Sequence, residues 1–230
     1  MQRSRLAILP YNSFFMIETI EIAKEFDGAA RVGLLQIDGL RVQESPGELK
    51  AMLNGLAGEC ARKHQDQPLG EIPAVRLIRG IFHRAGLDPT RYRPSSESLL
   101  RRAVKGKGLY FINSVVDLVN YFSLKLLWPI GLYDADKIEP PVSWRIGREG
   151  ESYEGIGRDK LNLAHFPLLV DRQGPFGSPI SDSMRTRVTE ECKRILWVTF
   201  APHGATVPNG EFAETMIRFA GGVVKVAKEL

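Results

Sequence analysis

The chain has 230 residues, of which 43% are hydrophobic and 25% charged, as in ordinary globular proteins that bury a substantial core. No apolar run reaches the roughly 18 residues that a membrane helix needs, and the basic start lacks a small-residue cleavage site, so we expect neither a membrane span nor a signal peptide. Cys60 and Cys192 are too few for a disulfide framework or a four-cysteine metal site. We therefore expect reduced thiols, a cytoplasmic location and a single domain over residues 1–230.

The positive charge is concentrated in residues 76–107. This segment holds nine basic and two acidic residues, so it carries +7 while the rest of the chain carries −3. Such an excess can neutralise several phosphates of a nucleic acid. The alternative is a basic face that only contacts water.

The first half of the chain predicts helices, after one buried strand at Arg31–Gly39. Glycine and proline signals bound these helices, and Gly106-Lys107-Gly108 ends the third. The predicted helices run from Ser45-Pro46 to about His64, over Ala74–Ala85, from Pro94 to the Gly106 break, and over Asn113–Leu127.

The second half predicts short strands separated by glycine-rich turns, and then a closing helix. Helices first and strands later, without regular alternation, indicate an α+β fold. The predicted strands are Val142–Ile146, Leu168–Asp171 and Ile195–Phe200, and the predicted amphipathic helix is Glu211–Leu230.

Two polar clusters are candidates for a site. Asn113, Asp117 and Asn120 recur at i, i+4 and i+7 on an otherwise apolar helix. They either line a pocket or cap the helix and satisfy buried backbone groups. The second cluster joins Gly174–Gly177 to three polar residues, and its glycines either bring backbone N–H groups to a ligand or form an ordinary hairpin. Its polar members are Asp182, Ser183 and Thr189.

Several common motifs are missing from the sequence. There is no phosphate-binding loop and no dinucleotide fingerprint, and the four histidines are scattered, so we expect no cofactor and no metal site. Ser178 and Ser183 lack a nucleophile-elbow motif. Any hydrolysis is therefore expected to use an activated water.

Three segments resemble a known family. Tyr92-Arg-Pro-Ser-Ser-Glu-Ser-Leu-Leu-Arg-Arg is followed by Leu109-Tyr-Phe-Ile-Asn-Ser-Val-Val-Asp-Leu-Val-Asn-Tyr and by Trp128-Pro-Ile-Gly-Leu-Tyr-Asp. Their order and spacing resemble the B3/B4 tRNA-binding domain of the phenylalanyl-tRNA synthetase beta subunit, closely over 92–134 and more weakly to 200. The other modules of the synthetase are missing, so the resemblance implies a stand-alone relative that binds tRNA or aminoacyl-tRNA and hydrolyses mischarged aminoacyl-tRNA in trans.

The resemblance also assigns candidate residues. Asn120 and Asp117 match the pocket asparagine and aspartate of the family, whereas Gly131 stands where the family has histidine, and Trp197 falls near its tyrosine-recognising glutamate. These two losses make tyrosine specificity doubtful and favour an alternative, a tRNA-binding module without catalysis; a small-ligand-binding protein is a third possibility. The oligomeric state is left open.

The predicted site residues form three groups. The catalytic candidates are Asn120, Asp117, Asp182 and Ser183. The pocket candidates are Gly131, Gly174, Gly177, Thr189 and Trp197. The tRNA-binding candidates are Arg93, Arg101, Arg102, Lys105 and Lys107.

Overall fold

A computed structural model describes residues 16–230, and the first four helices and the main strands lie close to where the sequence predicts them. The predicted α+β class is confirmed. The helices are α1 Gly47–His64, α2 Pro73–Arg84, α3 Ser95–Val104, α4 Ser114–Leu126 and α5 Asn209–Ala220. The strands are β1 Glu21–Ile22, β2 Ala30–Asp38, β3 Ile130–Asp134, β4 Ser143–Ile146, β5 Ser152–Glu154, β6 Lys160–Asn162, β7 Pro167–Asp171, β8 Gly174–Gly177, β9 Arg194–Pro202 and β10 Val223–Glu229.

The strands form two four-stranded sheets and a hairpin. The first sheet has the order β1-β4-β7-β8, the second has the order β10-β2-β9-β3, and β5 pairs with β6. In the second sheet every pairing is antiparallel, and β9 lies between β2 and β3. We call this second sheet the central sheet because both of its faces are covered.

The two faces of the central sheet contribute to different cores. Leu196, Val198 and Phe200 of β9 pack toward the first sheet and α2. Ile195 and Trp197, at the alternate positions of β9, pack toward α4 and α5 instead. Successive side chains of a strand point to opposite faces, so one continuous apolar run serves both cores. A third cluster joins α1, α2, α3 and α4.

The ends of α4 follow from local chemistry. The Asn113 side chain accepts a hydrogen bond from the Val116 N–H at 3.0 Å, which confirms this residue as the helix cap. At the other end Leu127 adopts a left-handed conformation, with φ of 57°, two residues before Pro129. No helix within residues 16–230 is long and apolar enough to cross a membrane.

The prediction of one closing helix over Glu211–Leu230 is wrong. The helix α5 ends at Ala220, and Gly221 and Gly222 have φ of 71° and 99°, which disfavours residues with a side chain. The chain then pairs with β2 as the strand β10. A Cβ at Gly222 would lie 2.9 Å from the Asp38 carbonyl oxygen, so the glycine pair also permits a close backbone approach.

A buried carboxylate fixes the start of α3. Glu97 is only 2% exposed, and it accepts hydrogen bonds from Arg79 at 2.7 and 2.9 Å. Arg93 lies 3.3 Å from the same carboxylate. Two of the nine basic residues in 76–107 therefore neutralise a buried acid within the fold.

We predict that Glu97→Gln lowers the free energy of unfolding by about 2–4 kcal/mol. The substitution leaves two guanidinium groups without their counter-charge, and the partial exposure of both arginines limits the cost. The measurement is urea denaturation, with Glu211→Gln as control. Glu211 forms an exposed ion pair with Lys125, so its loss should cost at most about 1 kcal/mol. Equal losses in the two variants would contradict the assignment.

Candidate functional site

Two residues of the predicted second cluster, Gly177 and Asp182, contact the side chain of Tyr133. Tyr133 lies in β3 on the same face as Gly131, and its buried ring packs edge-to-face against Phe176 at 5.0 Å between centroids. A Cβ at Gly131 or at Gly177 would lie 2.5 Å from the Tyr133 ring carbon Cζ and would overlap the hydroxyl. The two glycines therefore make room for the tyrosine ring, and Gly131 lines no open space on this face.

The Tyr133 hydroxyl is hydrogen-bonded to the side chain of Asp182. It donates a hydrogen bond to Asp182 Oδ1 at 2.7 Å, and the Ser178 N–H donates to the same oxygen at 3.3 Å. The Leu132 N–H of the edge strand β3 also hydrogen-bonds to this carboxylate. Burial raises the pKa of the Asp182 carboxyl, and these three hydrogen bonds lower it by a smaller amount. The resulting pKa is about 7.

The loop that carries Asp182 is fixed by a second tyrosine. The Tyr153 hydroxyl donates to the Ser181 carbonyl, and the Ser178 hydroxyl accepts from the Ser181 N–H at 3.1 Å. Burial raises the pKa of Tyr133 and of Tyr153, so both remain protonated donors near neutral pH. Asp182, by contrast, divides between its acid and base forms there. A carboxyl poised near neutrality in a rigid, partly exposed setting has the properties of a general base.

Three other predicted residues of this region form turns. The Ser183 hydroxyl accepts from the Arg185 N–H at 3.1 Å and caps a short 3₁₀ turn. The Gly174 N–H donates to Asp171 in the β7–β8 hairpin, so the hairpin alternative describes this segment. The Thr189 carbonyl accepts from the Cys192 N–H at 3.1 Å. Turn formation explains these residues without a ligand.

Trp197 lies on the other side of the central sheet. It pairs with Leu132 across β9 and β3, whereas Gly131 pairs with Val198, so Trp197 and Gly131 face opposite cores. The indole is fully buried, donates to Thr199 Oγ1 at 3.0 Å and stacks on Phe212 at 4.8 Å. Trp197, which the sequence analysis names as a pocket candidate, therefore lies in the core between the central sheet and α4 and α5.

Asp117 and Asn120 have different environments on α4. Asp117 is fully buried, and it accepts hydrogen bonds from the Ser45 hydroxyl and from the Ile112 N–H at 2.9 Å. Burial raises its pKa, and the two hydrogen bonds oppose that rise. These contacts favour the structural alternative for Asp117. Asn120 is half-buried, and its amide makes no hydrogen bond to another residue of the described 16–230.

The predicted tRNA-binding residues also differ in their environments, because one is paired within the fold and most of the others are exposed. Arg93 pairs with the buried Glu97, as described above. The side chains of Arg101, Lys105 and Lys107 are exposed on α3 and in the loop after it. Arg102 is half-buried against that loop. The basic edge that the sequence predicts therefore excludes Arg93.

Comparison with known proteins places this architecture in a family. Residues 78–209, more than half of the chain, match the model of the B3/4 domain. The chain belongs to the B3/4 domain family. This match confirms the resemblance drawn from residues 92–134, and it includes both Tyr133 and Asp182.

Relatives of this B3/4 domain protein include beta subunits of phenylalanine–tRNA ligase. The subunit of Paramagnetospirillum magneticum is 28% identical over 147 residues, which are 64% of this chain and 17% of the relative. The subunit of Bartonella henselae is 31% identical over 104 residues, which are 44% of this chain and 13% of the relative. The chain thus matches less than a fifth of the length of these relatives.

A solved structure is also similar to this B3/4 domain protein. It is an N-terminal fragment of the phenylalanyl-tRNA synthetase beta subunit from Pyrococcus horikoshii, with 16% identity and a TM-score of 0.48. The alignment covers 94% of this chain and 55% of that fragment. The family match itself includes β9 and β3 but neither β2 nor β10, so the central sheet is completed by strands outside the matched range.

We predict that Asp182→Asn makes stability less dependent on pH. An aspartate in an unfolded chain has a pKa near 4, so between about pH 4 and 7 the folded protein holds a proton that the unfolded chain has released. The contribution of Asp182 to the free energy of unfolding is therefore fully present below about pH 4 and is lost as the pH rises through 7. An asparagine keeps the hydrogen bonds from Tyr133 and Ser178 but never ionises.

The measurement is the melting temperature of both proteins from pH 5 to pH 8. We expect the variant to gain about 1–3 kcal/mol relative to wild type across this range, less than full burial would give because Asp182 is partly exposed. Groups that titrate in both proteins cancel in the difference. Parallel curves would contradict a raised pKa at Asp182.

Proposed function

We propose that this chain binds aminoacyl-tRNA and hydrolyses the ester bond of a mischarged amino acid in trans. Its B3/4 domain supports a tRNA ligand, because similar segments occur within phenylalanine–tRNA ligase beta subunits. The observation that carries the hydrolytic part is the Asp182 carboxyl, whose pKa is about 7 and whose position is fixed by the Tyr133 hydroxyl. This group can accept a proton at neutral pH without a metal or a nucleophilic serine.

The proposed reaction is a water attack on the ester carbonyl. Asp182 as carboxylate takes a proton from the water while the oxygen forms a bond to the carbonyl carbon. The bond from that carbon to the ribose oxygen then breaks, and Asp182 returns the proton to this oxygen. The products are a free amino acid and a tRNA with its terminal hydroxyl restored.

Asn120 has a separate role in this proposal. Its half-buried amide has no hydrogen bond to another residue within 16–230, so its N–H groups are available to a ligand. An amide donor aimed at the oxygen where negative charge develops stabilises the tetrahedral intermediate. Arg101, Lys105 and Lys107 would hold the phosphates of the acceptor arm through charge alone.

One observation favours a second candidate function, a tRNA-binding module without catalysis. The ring of Tyr133 occupies the space beside Gly131, where the family resemblance places a histidine. A pocket that depended on that histidine is therefore absent from this face. The two functions share the tRNA ligand and differ only in turnover.

We expect the wild-type protein to release the amino acid from at least one mischarged aminoacyl-tRNA. The test incubates it with each aminoacyl-tRNA in turn, cognate and mischarged, and follows loss of the amino acid in single turnover. Below about pH 7 the rate, after subtraction of spontaneous hydrolysis, should fall as Asp182 becomes protonated.

Two variants test whether Asp182 acts as the general base. Asp182→Asn should lower the rate by about a hundred- to a thousand-fold and remove this pH dependence, whereas Glu211→Gln, on the exposed start of α5, should leave both unchanged. Tight tRNA binding without release of any amino acid would instead support the binding module.

For Asn120→Ala we expect a deacylation rate lower by about ten- to a thousand-fold, the scale of one lost transition-state hydrogen bond. The affinity for tRNA and the melting temperature should change little, because the amide makes no hydrogen bond within the described chain. Both quantities should be measured on one preparation. A destabilised variant with a normal rate would assign Asn120 to the fold rather than to the site.

A further inference from the structure

Three consecutive apolar side chains are exposed just before α4. The exposed fractions of Tyr110, Phe111 and Ile112 are 65%, 39% and 62%. We call residues 106–112 the aromatic loop. Adjacent large apolar side chains in water are unfavourable, so such a patch indicates a binding surface.

The fold holds the aromatic loop in this exposed position. Leu109 is buried in the cluster formed by the first four helices, and Arg102 Nε donates to the Gly108 carbonyl at 3.1 Å. The Ile112 N–H donates to the buried carboxylate of Asp117. Both ends of the loop are thus tied to helices, and Asp117, which the proposed reaction does not use, keeps Tyr110 and Phe111 facing the solvent.

Basic groups surround the exposed rings. The Arg102 guanidinium lies over the Tyr110 ring at 4.0 Å, and Lys50 Nζ lies 5.8 Å from the centre of the Phe111 ring. Residues 98–116 include four basic residues and no acidic one. Lys50 also pairs with the exposed Glu44. An apolar, aromatic surface with this charge suits a partner that has both flat rings and negative groups.

We propose that the aromatic loop is a stacking platform for unpaired bases of RNA. Tyr110 has a cation over one ring face, and a base on the other face would extend the stack, while Lys105 and Lys107 neutralise the flanking phosphates. Bases within a duplex already stack on each other, so the platform selects a single-stranded segment. The inference rests on the proposed function, because it assigns the platform to the unpaired end of a tRNA.

The test uses the full chain and three probes of equal length, each with a fluorescent label: a single-stranded RNA, an abasic strand with the same phosphates, and a blunt duplex. Anisotropy titrations give the affinities at one fixed salt concentration. Wild type should bind the single strand about 5- to 100-fold more tightly than the abasic strand, the scale of one or two stacked bases. Equal affinity for these two probes would overturn the proposal.

Variants separate stacking from charge. Tyr110→Ala should remove most of the preference for the base-bearing strand, and Tyr110→Phe should retain it because the ring remains. Lys105→Ala should weaken binding of the base-bearing and abasic strands by the same factor. Leu77→Ala, which removes an exposed apolar side chain of α2, should change neither affinity. A preference that survives in Tyr110→Ala would overturn the platform.

Two further readouts distinguish the possible failures. If wild type deacylates aminoacyl-tRNA and Tyr110→Ala binds the probes as wild type does, the platform is rejected and the hydrolase function is retained. Binding that depends on Tyr110, without release of amino acid from any aminoacyl-tRNA, would keep the platform and reject the hydrolase. Vesicles of phosphatidylcholine and phosphatidylserine test the membrane alternative, and vesicle binding that depends on Tyr110, without a preference for bases, would overturn the RNA assignment.

Discussion

Burial of the central sheet on both faces is the constraint on which the rest of the structure depends. Because β9 has a core on each side, each of its residues must be apolar or hydrogen-bonded, and alternate side chains belong to different cores. The same alternation in β3 sends Leu132 toward α4 and Tyr133 toward the first sheet. The Tyr133–Asp182 part of the candidate site therefore belongs to one face of one edge strand.

The edge of that sheet explains why a largely buried carboxylate lies at the site. An edge strand has unpaired N–H groups that need an acceptor, and Asp182 accepts from Leu132 in β3 as well as from the Tyr133 hydroxyl. Burial disfavours the ionised form of Asp182 and raises its pKa. The three hydrogen-bond donors stabilise that form, so the pKa rises only to about 7. A group that satisfies the sheet edge is thereby also poised to exchange a proton, so its structural and chemical roles have the same physical origin.

The sequence predicted the helices better than the site. Periodicity, proline and the Asn113 cap located α1 to α4, and spacing alone placed Asp117 and Asn120 on one helix. The Gly221–Gly222 pair indicates the end of α5, but the amphipathic pattern continues past it and favoured a longer helix. By contrast, the close approach of Tyr133 to Gly177 joins two strands through residues 44 positions apart in sequence. Register across β9, which placed Trp197 on the other face, is likewise a long-range property.

Asp117 shows how a residue that matches the family motif can have a structural role. Its carboxylate is fully buried and accepts hydrogen bonds from Ser45 and Ile112, so it is shielded from a substrate, yet it fixes the loop that exposes Tyr110. Removing it would release the Ile112 backbone first and disturb the exposed rings next, while Asp182 keeps its own hydrogen bonds on the other side of β3. Under the proposed function, a change at Asp117 should therefore weaken RNA binding before it slows proton transfer. Loss of activity in such a variant would not by itself make Asp117 a catalytic residue.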